Sequence, residues 1–322
     1  MRPAHYALQR SSAAIAAVLL WALLCAWSAA ASAQTLTILL SDESPPYLEV
    51  ANGIRAALEP EFKDQLLIRT VLAKALPAND AIRQSSLLVT VGSLAAQKAA
   101  ALEPEAPILA MLIPRQVFEN IVRGAKPERR HFSAIYLDQP LPRQLALIRN
   151  VLPEAHTVGV IAGPATAHEL RLLRSSVEKD GMRLAQEAIA SEAELFPALQ
   201  RLLPETDVLL ALPDPTVINR STIQSVLLTT YRYRVPVAGY SASQVDAGVL
   251  AAVYSSPAQI AQQATQVIRE TLRNGGGGLK GPFYPKYFSV KINRNVAHSL
   301  GLNAPDEALL KKQMEATTED EL

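Results

Sequence analysis

The chain has one cysteine in 322 residues, Cys25, and that residue lies inside an apolar amino-terminal stretch. Past that stretch there is no thiol, which excludes disulfides, thiolate catalysis and cysteine–zinc sites, so an ordinary core must hold the fold. Aromatic residues are scarce at 5%, against 49% apolar residues overall, so that core has to be aliphatic. A charge imbalance is missing as well. Of 31 basic residues, Arg2 and Arg10 belong to the amino-terminal stretch, leaving 29 against 30 acidic ones. A neutral chain offers no electrostatic footprint for nucleic acid or an anionic membrane. Its densest basic cluster, Tyr231-Arg232-Tyr233-Arg234, suits the negative end of a helix dipole. Glycine fingerprints for dinucleotides, the phosphate-binding P-loop and the HExxH zinc motif are all absent. The histidines His131, His156, His168 and His298 are scattered without metal-site spacing, so neither a metal nor a cofactor is expected.

The first residues set the expected compartment. Arg2 and Arg10 precede an apolar run, Ala13 to Trp27, that falls short of the ~20 residues a bilayer crossing needs. Ala31-Ser32-Ala33 then supplies the small-x-small pattern of a signal-peptidase site. Residues 1–33 read as a cleaved signal peptide, with cleavage after Ala33 and a periplasmic mature protein; an uncleaved anchor is the alternative. Leu24, ahead of Cys25, does not fit a lipoprotein signal.

From Thr35 onward, short aliphatic runs alternate with amphipathic stretches, which predicts βαβ units around parallel sheets. In the first half the predicted strands are Thr35 to Leu40, Leu66 to Leu72, Leu87 to Val91, Ile108 to Ile113 and Phe132 to Leu137. Their near-continuous apolar character is that of strands covered on both faces. The second half repeats the scheme at Thr157 to Ile161, Arg183 to Ile189, Val208 to Leu212, Val235 to Ala238 and Val249 to Val253. Leu141, Leu145, Ile148 and Leu152 form one helical stripe between them. Beyond lie a helix from Pro257 to Leu272, a linker at Gly275 to Gly278, an edge strand Phe288 to Ile292 and a short helix Asn295 to Ser299. The expected fold is therefore α/β, with two doubly wound parallel-sheet lobes joined by a hinge near Leu137 to Pro142.

Ligands of such sheets bind beyond the carboxyl ends of the strands, which selects the candidate binding residues. Ser41 and Asp42 end the first strand, and Gly92 with Ser93 turns the third strand into a helix whose free amides suit a carboxylate. Ser93 as a plain helix cap and Asp42 as a turn cap are the alternatives. Asp138 and Gln139 end the first lobe's last strand, where a carboxylate can pair with a ligand ammonium or simply shape a hinge turn. In the second half the candidates are Asp214 and Thr216 after the third strand, and Tyr240 and Ser241 after the fourth. Asp214 is also explicable as an N-cap, and Tyr240 as a cover for the sheet end. Gly239-Tyr240-Ser241-Ala242-Ser243 comes within one residue of a hydrolase nucleophile elbow. With Asp246 and His298 it gives the one tolerable triad order, and this serine-hydrolase reading is the weakest alternative.

Several of these segments, in order, resemble the ABC-transporter substrate-binding proteins that include tryptophan-type binders, built on the type I periplasmic binding protein fold. The likeness runs through Val91-Gly92-Ser93, Leu210-Ala211-Leu212-Pro213-Asp214, Val235-Pro236-Val237-Ala238-Gly239-Tyr240 and Gly248 to Tyr254, then Ser289 to Asn293 and Ser299-Leu300-Gly301-Leu302. The resemblance implies a monomeric, non-enzymatic protein that captures a small solute between its lobes and hands it to an ABC permease and ATPase; an extracytoplasmic sensor or a receptor-accessory binding protein, without transport, is the alternative. It also implies three crossings between lobes, giving residues 34–137 plus 256–282 to lobe one and 138–255 plus 283–310 to lobe two; separately, the acidic stretch Glu315 to Leu322 makes 311–322 read as a disordered tail. Relatives that bind aromatic amino acids carry Asp-Pro after the fourth strand, where this chain has Ile113-Pro114-Arg115. The arginine favours a ligand of more negative charge, or is an exposed first-turn residue.

Overall fold

The computed structural model describes residues 34–75, 80–124, 131–274 and 279–318. The leader expected at residues 1–33 and the glycine linker at 275–278 lie outside the described residues.

Two sheets organise the chain. The first joins β1 (Gln34–Leu40), β2 (Leu66–Leu72), β3 (Leu87–Val91), β4 (Ile108–Ile113) and β5 (Phe132–Tyr136) in the order β2-β1-β3-β4-β5. All its pairings are parallel. The aliphatic runs explain why: every residue of β3 and β4 is buried, because helices cover both faces. Helix α1 (Pro45–Phe62), the short α2 (Asp80–Arg83), α3 (Ser93–Ala101) and α4 (Arg115–Gly124) supply most of that cover.

The second sheet repeats the winding after α5 (Leu141–Val151). It comprises β6 (Thr157–Ala162), β7 (Arg183–Ala188), β8 (Val208–Leu210), β9 (Val237–Gly239), β10 (Ala251–Tyr254) and β11 (Ser289–Ile292), ordered β11-β10-β9-β8-β6-β7. Its parallel run ends in the antiparallel edge strand β11, paired to β10. Between the strands run α6 (Leu170–Lys179), α7 (Leu195–Leu202), α8 (Ile223–Arg232) and α9 (Ala242–Ala247). Strand β8 ends at Leu210, short of its apolar run, and β9 begins only at Val237, after Pro236, and ends at Gly239.

The chain passes between the lobes three times. After β5 it enters α5, whose Leu145, Ile148 and Val151 pack in the second core. It returns with α10 (Pro257–Arg273), which lays Ile260, Ala264 and Ile268 against Val50, Ile54 and Leu58 of α1. It then runs along β5, with Phe283 N–H donating to the Ala134 carbonyl and Tyr136 N–H to that of Phe283, before entering β11.

The carboxyl end departs from expectation. Residues 311–322 are not a disordered tail throughout: after α11 (Arg294–Ser299), helix α12 spans Glu307–Thr318. Asp306 caps it, its Oδ1 accepting from Ala308 and Leu309 N–H, each at 3.0 Å. Leu310 and Met314, one helical turn apart, are both fully buried in the second core. Reading the acidic end as a solvated run overlooked this pair.

Candidate functional site

The carboxyl ends of both sheets carry the polar groups, and local chemistry fixes each of them. At the end of β1, Ser41 is buried and its Oγ accepts the Ala95 N–H at 2.9 Å. A side chain from a neighbouring strand thus caps the third amide of α3. The cap position proper belongs to Gly92, with φ of 89°, and Ser93 is the first residue of the helix. Ser93 is therefore not the cap, and no hydrogen bond within the described residues engages its hydroxyl, which stands half-buried at the helix start. Asp42 is exposed and accepts the Ser44 N–H at 2.7 Å; the Ser44 side chain, and then this N–H, hold its carboxyl below the usual value. It shapes the turn into α1.

Gly92 is needed twice over. Its φ lies in the left-handed region, and a Cβ there would come within 2.5 Å of Ser41 Oγ and 2.8 Å of the Tyr47 ring. Gly92→Ala is expected to cost about 2–3 kcal/mol, read as a shift of the denaturant midpoint at unchanged slope. An unchanged midpoint would mean that this turn tolerates a shift of Tyr47. Tyr47, in the first turn of α1 directly after Pro45-Pro46, is a neighbour of these groups that the sequence reading did not single out. Burial, and then Asp42, raise its phenol above the ordinary value.

The end of β4 is irregular. Leu112 adopts φ of 48°, and the pairing with β5 slips between Met111 and Ile113, so one extra residue bends the strand end. That bulge leads into Pro114 and Arg115. The Arg115 N–H donates to Asp138 Oδ2 at 2.6 Å, and its guanidinium reaches Glu119 Oε1 at 3.2 Å and Glu169 Oε1 at 2.9 Å. Glu169 lies in lobe two. Burial is the largest influence on Asp138 and pushes its carboxyl up to about 6, against the Arg115 amide bond, which lowers it. Tyr136 packs edge-on against Tyr284 with centroids 5.4 Å apart, and burial raises both phenols, Tyr136 to about 12.

Gln139 serves the crossings. It is 3% exposed; its amide donates to Ser255 Oγ at 2.9 Å, and Ser255 Oγ donates to the Tyr287 carbonyl at 2.6 Å. Arg143 donates to Gln139 Oε1 and to the Pro285 carbonyl, each at 2.8 Å, and lies 4.3 Å from the Phe288 ring centroid. All three inter-lobe segments are thereby tied together. Burial lowers the Arg143 guanidinium to about 10.

In lobe two, Asp214 is wholly buried. Its Oδ2 accepts from Ala165 N–H, Thr166 N–H and Thr166 Oγ1, each at 3.0 Å, and Oδ1 accepts from Thr216 N–H at 2.9 Å. The carboxylate ties the loop after β6 to the loop after β8, while Thr216 stands half-buried beside it. Tyr240 is half-buried at the end of β9 and its N–H donates to Gln244 Oε1 at 2.9 Å. Ser241 caps α9, its Oγ accepting the Gln244 N–H at 3.3 Å. Of the residues of the hydrolase alternative, Asp246 is paired to Lys291 at 2.6 Å, away from Ser241, which caps α9.

A cavity of about 560 Å³, lined by Gln97, Ala101, Asn120 and Phe132 among others, opens at the amino ends of β4 and β5, the wrong end of the sheet for these groups. Among the described residues no cluster of potential metal ligands occurs, and no helix is long and apolar enough to cross a membrane.

Two parallel-dominated sheets, wound alike and linked by three crossings, define a type I periplasmic binding protein fold. The chain belongs to the ABC transporter substrate-binding protein family, whose model matches residues 48–316. Among solved structures it is similar to an ABC domain in complex with L-Trp from Streptococcus pneumonia, at 20% identity and TM-score 0.62, covering 86% of this chain and 98% of that one. A ligand-free, open substrate-binding protein with adhesive properties from Clostridium difficile is similar at 19% identity and TM-score 0.67, covering 85% and 96%. A conserved domain protein from Vibrio cholerae matches at 24% identity and TM-score 0.57, covering 86% and 98%. No curated protein matches the chain.

Proposed function

We propose that the chain is an exported solute receptor that captures a small amine-bearing organic molecule, of amino-acid type, between its lobes and delivers it to an ABC importer. The observation carrying this reading is that Ser93 and Asp138 from lobe one, and Tyr240 from lobe two, all stand at carboxyl strand ends on either side of the crossings. In this reading, the Ser93 hydroxyl with the first amides of α3 receives a carboxylate, Asp138 receives an ammonium, and Tyr47 and Tyr240 offer aromatic walls. The segments tied by Gln139 and Arg143 act as the hinge. Contacts to both lobes form together only when the cleft is shut, so ligand raises the closed population.

The test is a thermal-shift screen of residues 34–322 against amino acids, small organic acids and purines. A ligand at about 100 times its Kd stabilises the native state by ~2.7 kcal/mol, a rise of several degrees. Ser93→Ala is expected to cut that rise by at least half without moving the ligand-free melting temperature. If the binding compound shifts Ser93→Ala as much as the parent chain, the cleft assignment is wrong.

A further inference from the structure

The Arg115–Glu169 pair is held from both sides by more than its own attraction. Four features aim Arg115: the Leu112 bulge turns the end of β4, Pro114 fixes the backbone directly before it, Asp138 takes the Arg115 N–H, and Glu119 holds the other arm of the guanidinium. A non-glycine residue held at positive φ persists only where the surroundings over-determine it, and here the constraint sits three residues before the arginine.

Glu169 is equally fixed. It closes the 3₁₀ turn Ala167–Glu169, its N–H donating to the Thr166 carbonyl at 2.9 Å, and Thr166 is itself pinned by Asp214. The side chains of Arg115 and Glu169 are only 20% and 14% exposed, so solvent screens the 2.9 Å contact less than it does a surface pair. His168 Nε2 stands 3.8 Å from the same carboxylate oxygen. Each partner is therefore rigid with respect to its own lobe, and the lobes cannot part without breaking the contact.

We propose that Arg115 and Glu169 are closure-determining residues, a latch made by the protein itself that sets the ratio of shut to open cleft before any solute arrives. The proposal rests on the solute-receptor reading for its purpose but not for its test, which needs no ligand. The contact is made by two side chains of the chain itself, so it favours closure whether or not a solute is bound, and a solute has correspondingly less of the opening equilibrium to overcome.

The mature chain lacks cysteine, so two spin labels can be placed cleanly. Cysteines replacing Val122 on α4 and Leu172 on α6, both exposed, report the separation of the lobes by electron–electron double resonance on the ligand-free chain. The expected result is a dominant short distance that gives way to a longer one in Glu169→Gln and in Arg115→Gln, with the open fraction rising roughly fivefold. The double variant is expected to open no further than either single one, as for two ends of one interaction. Raising sodium chloride to 1 M on the parent chain provides a second measurement, free of any substitution at the pair, and should lengthen the mean distance. Distances unmoved by both single substitutions and by salt, or effects that add in the double variant, overturn the latch. Loss of the thermal shift with every solute in the preceding section would overturn the receptor reading alone.

Discussion

Asp214→Ala is expected to lower the unfolding free energy by about 4 kcal/mol and the melting temperature by on the order of 10 °C. The carboxylate is fully buried and accepts four hydrogen bonds, three from Ala165 and Thr166 and one from Thr216. Removing it leaves those donors facing one another in a space closed to solvent, and each unsatisfied buried donor carries most of a desolvation penalty. Asp214→Asn is predicted to fall between, because one of its two terminal atoms becomes a donor pointed at other donors. Gly163 adds a control, since a Cβ there would collide with the same carboxylate. Urea unfolding of the three variants checks the order. A loss below ~1 kcal/mol in the alanine variant would show that the two loops are held by other contacts.

Asp138→Asn is expected to act in the opposite sense on stability. Burial raises the Asp138 carboxyl from 3.8 to about 6. In the window between those values the folded chain keeps a proton that the unfolded chain has released, so the carboxyl's contribution is fully present below the lower value and is lost as pH rises toward 6. Above that the charged group is a standing cost of about 3 kcal/mol. The asparagine carbonyl still accepts the Arg115 N–H, so the variant is expected to melt several degrees higher than the parent at pH 7.5 and at the same temperature near pH 4. In the proposed receptor, the same change removes the partner of the ligand ammonium and weakens binding by at least tenfold, a trade of stability against function. Equal melting temperatures at pH 7.5 would contradict the buried charge. Undiminished affinity would remove Asp138 from the binding site.

Much of the architecture was legible because strands buried on both faces must be continuously aliphatic. Leu87 to Val91 and Ile108 to Ile113 need no alignment to be read as central strands, and all their residues are buried. The Pro257 helix was legible through its spacing of Ile260, Ala264, Val267 and Leu272; the structure adds the Ser256–Gln259 capping box at its start. Helix α12 was not, because only two of its residues carry the packing and the rest are those of a solvated end. The groups at the strand ends were legible as positions and not as partnerships. Ser41 caps α3 from 54 residues away, and Arg115 meets Glu169 across the same sequence distance, so no local pattern announces either. Gln139 reads as a polar residue after a strand; its place between Ser255 and Arg143 exists only once three separate segments lie side by side.

The return of α10 to the first lobe has a consequence for synthesis. Val50, Ile54 and Leu58 wait for Ile260, Ala264 and Ile268, so when a ribosome has delivered the first 140 residues, the amino-terminal sheet still lacks one of its covering helices. Such a nascent chain carries an open aliphatic flank until about 130 further residues have followed, at a rate of 5–20 per second, and invites a chaperone for that interval. Cutting the gene after residue 137 is for the same reason not a way to obtain a free-standing first lobe.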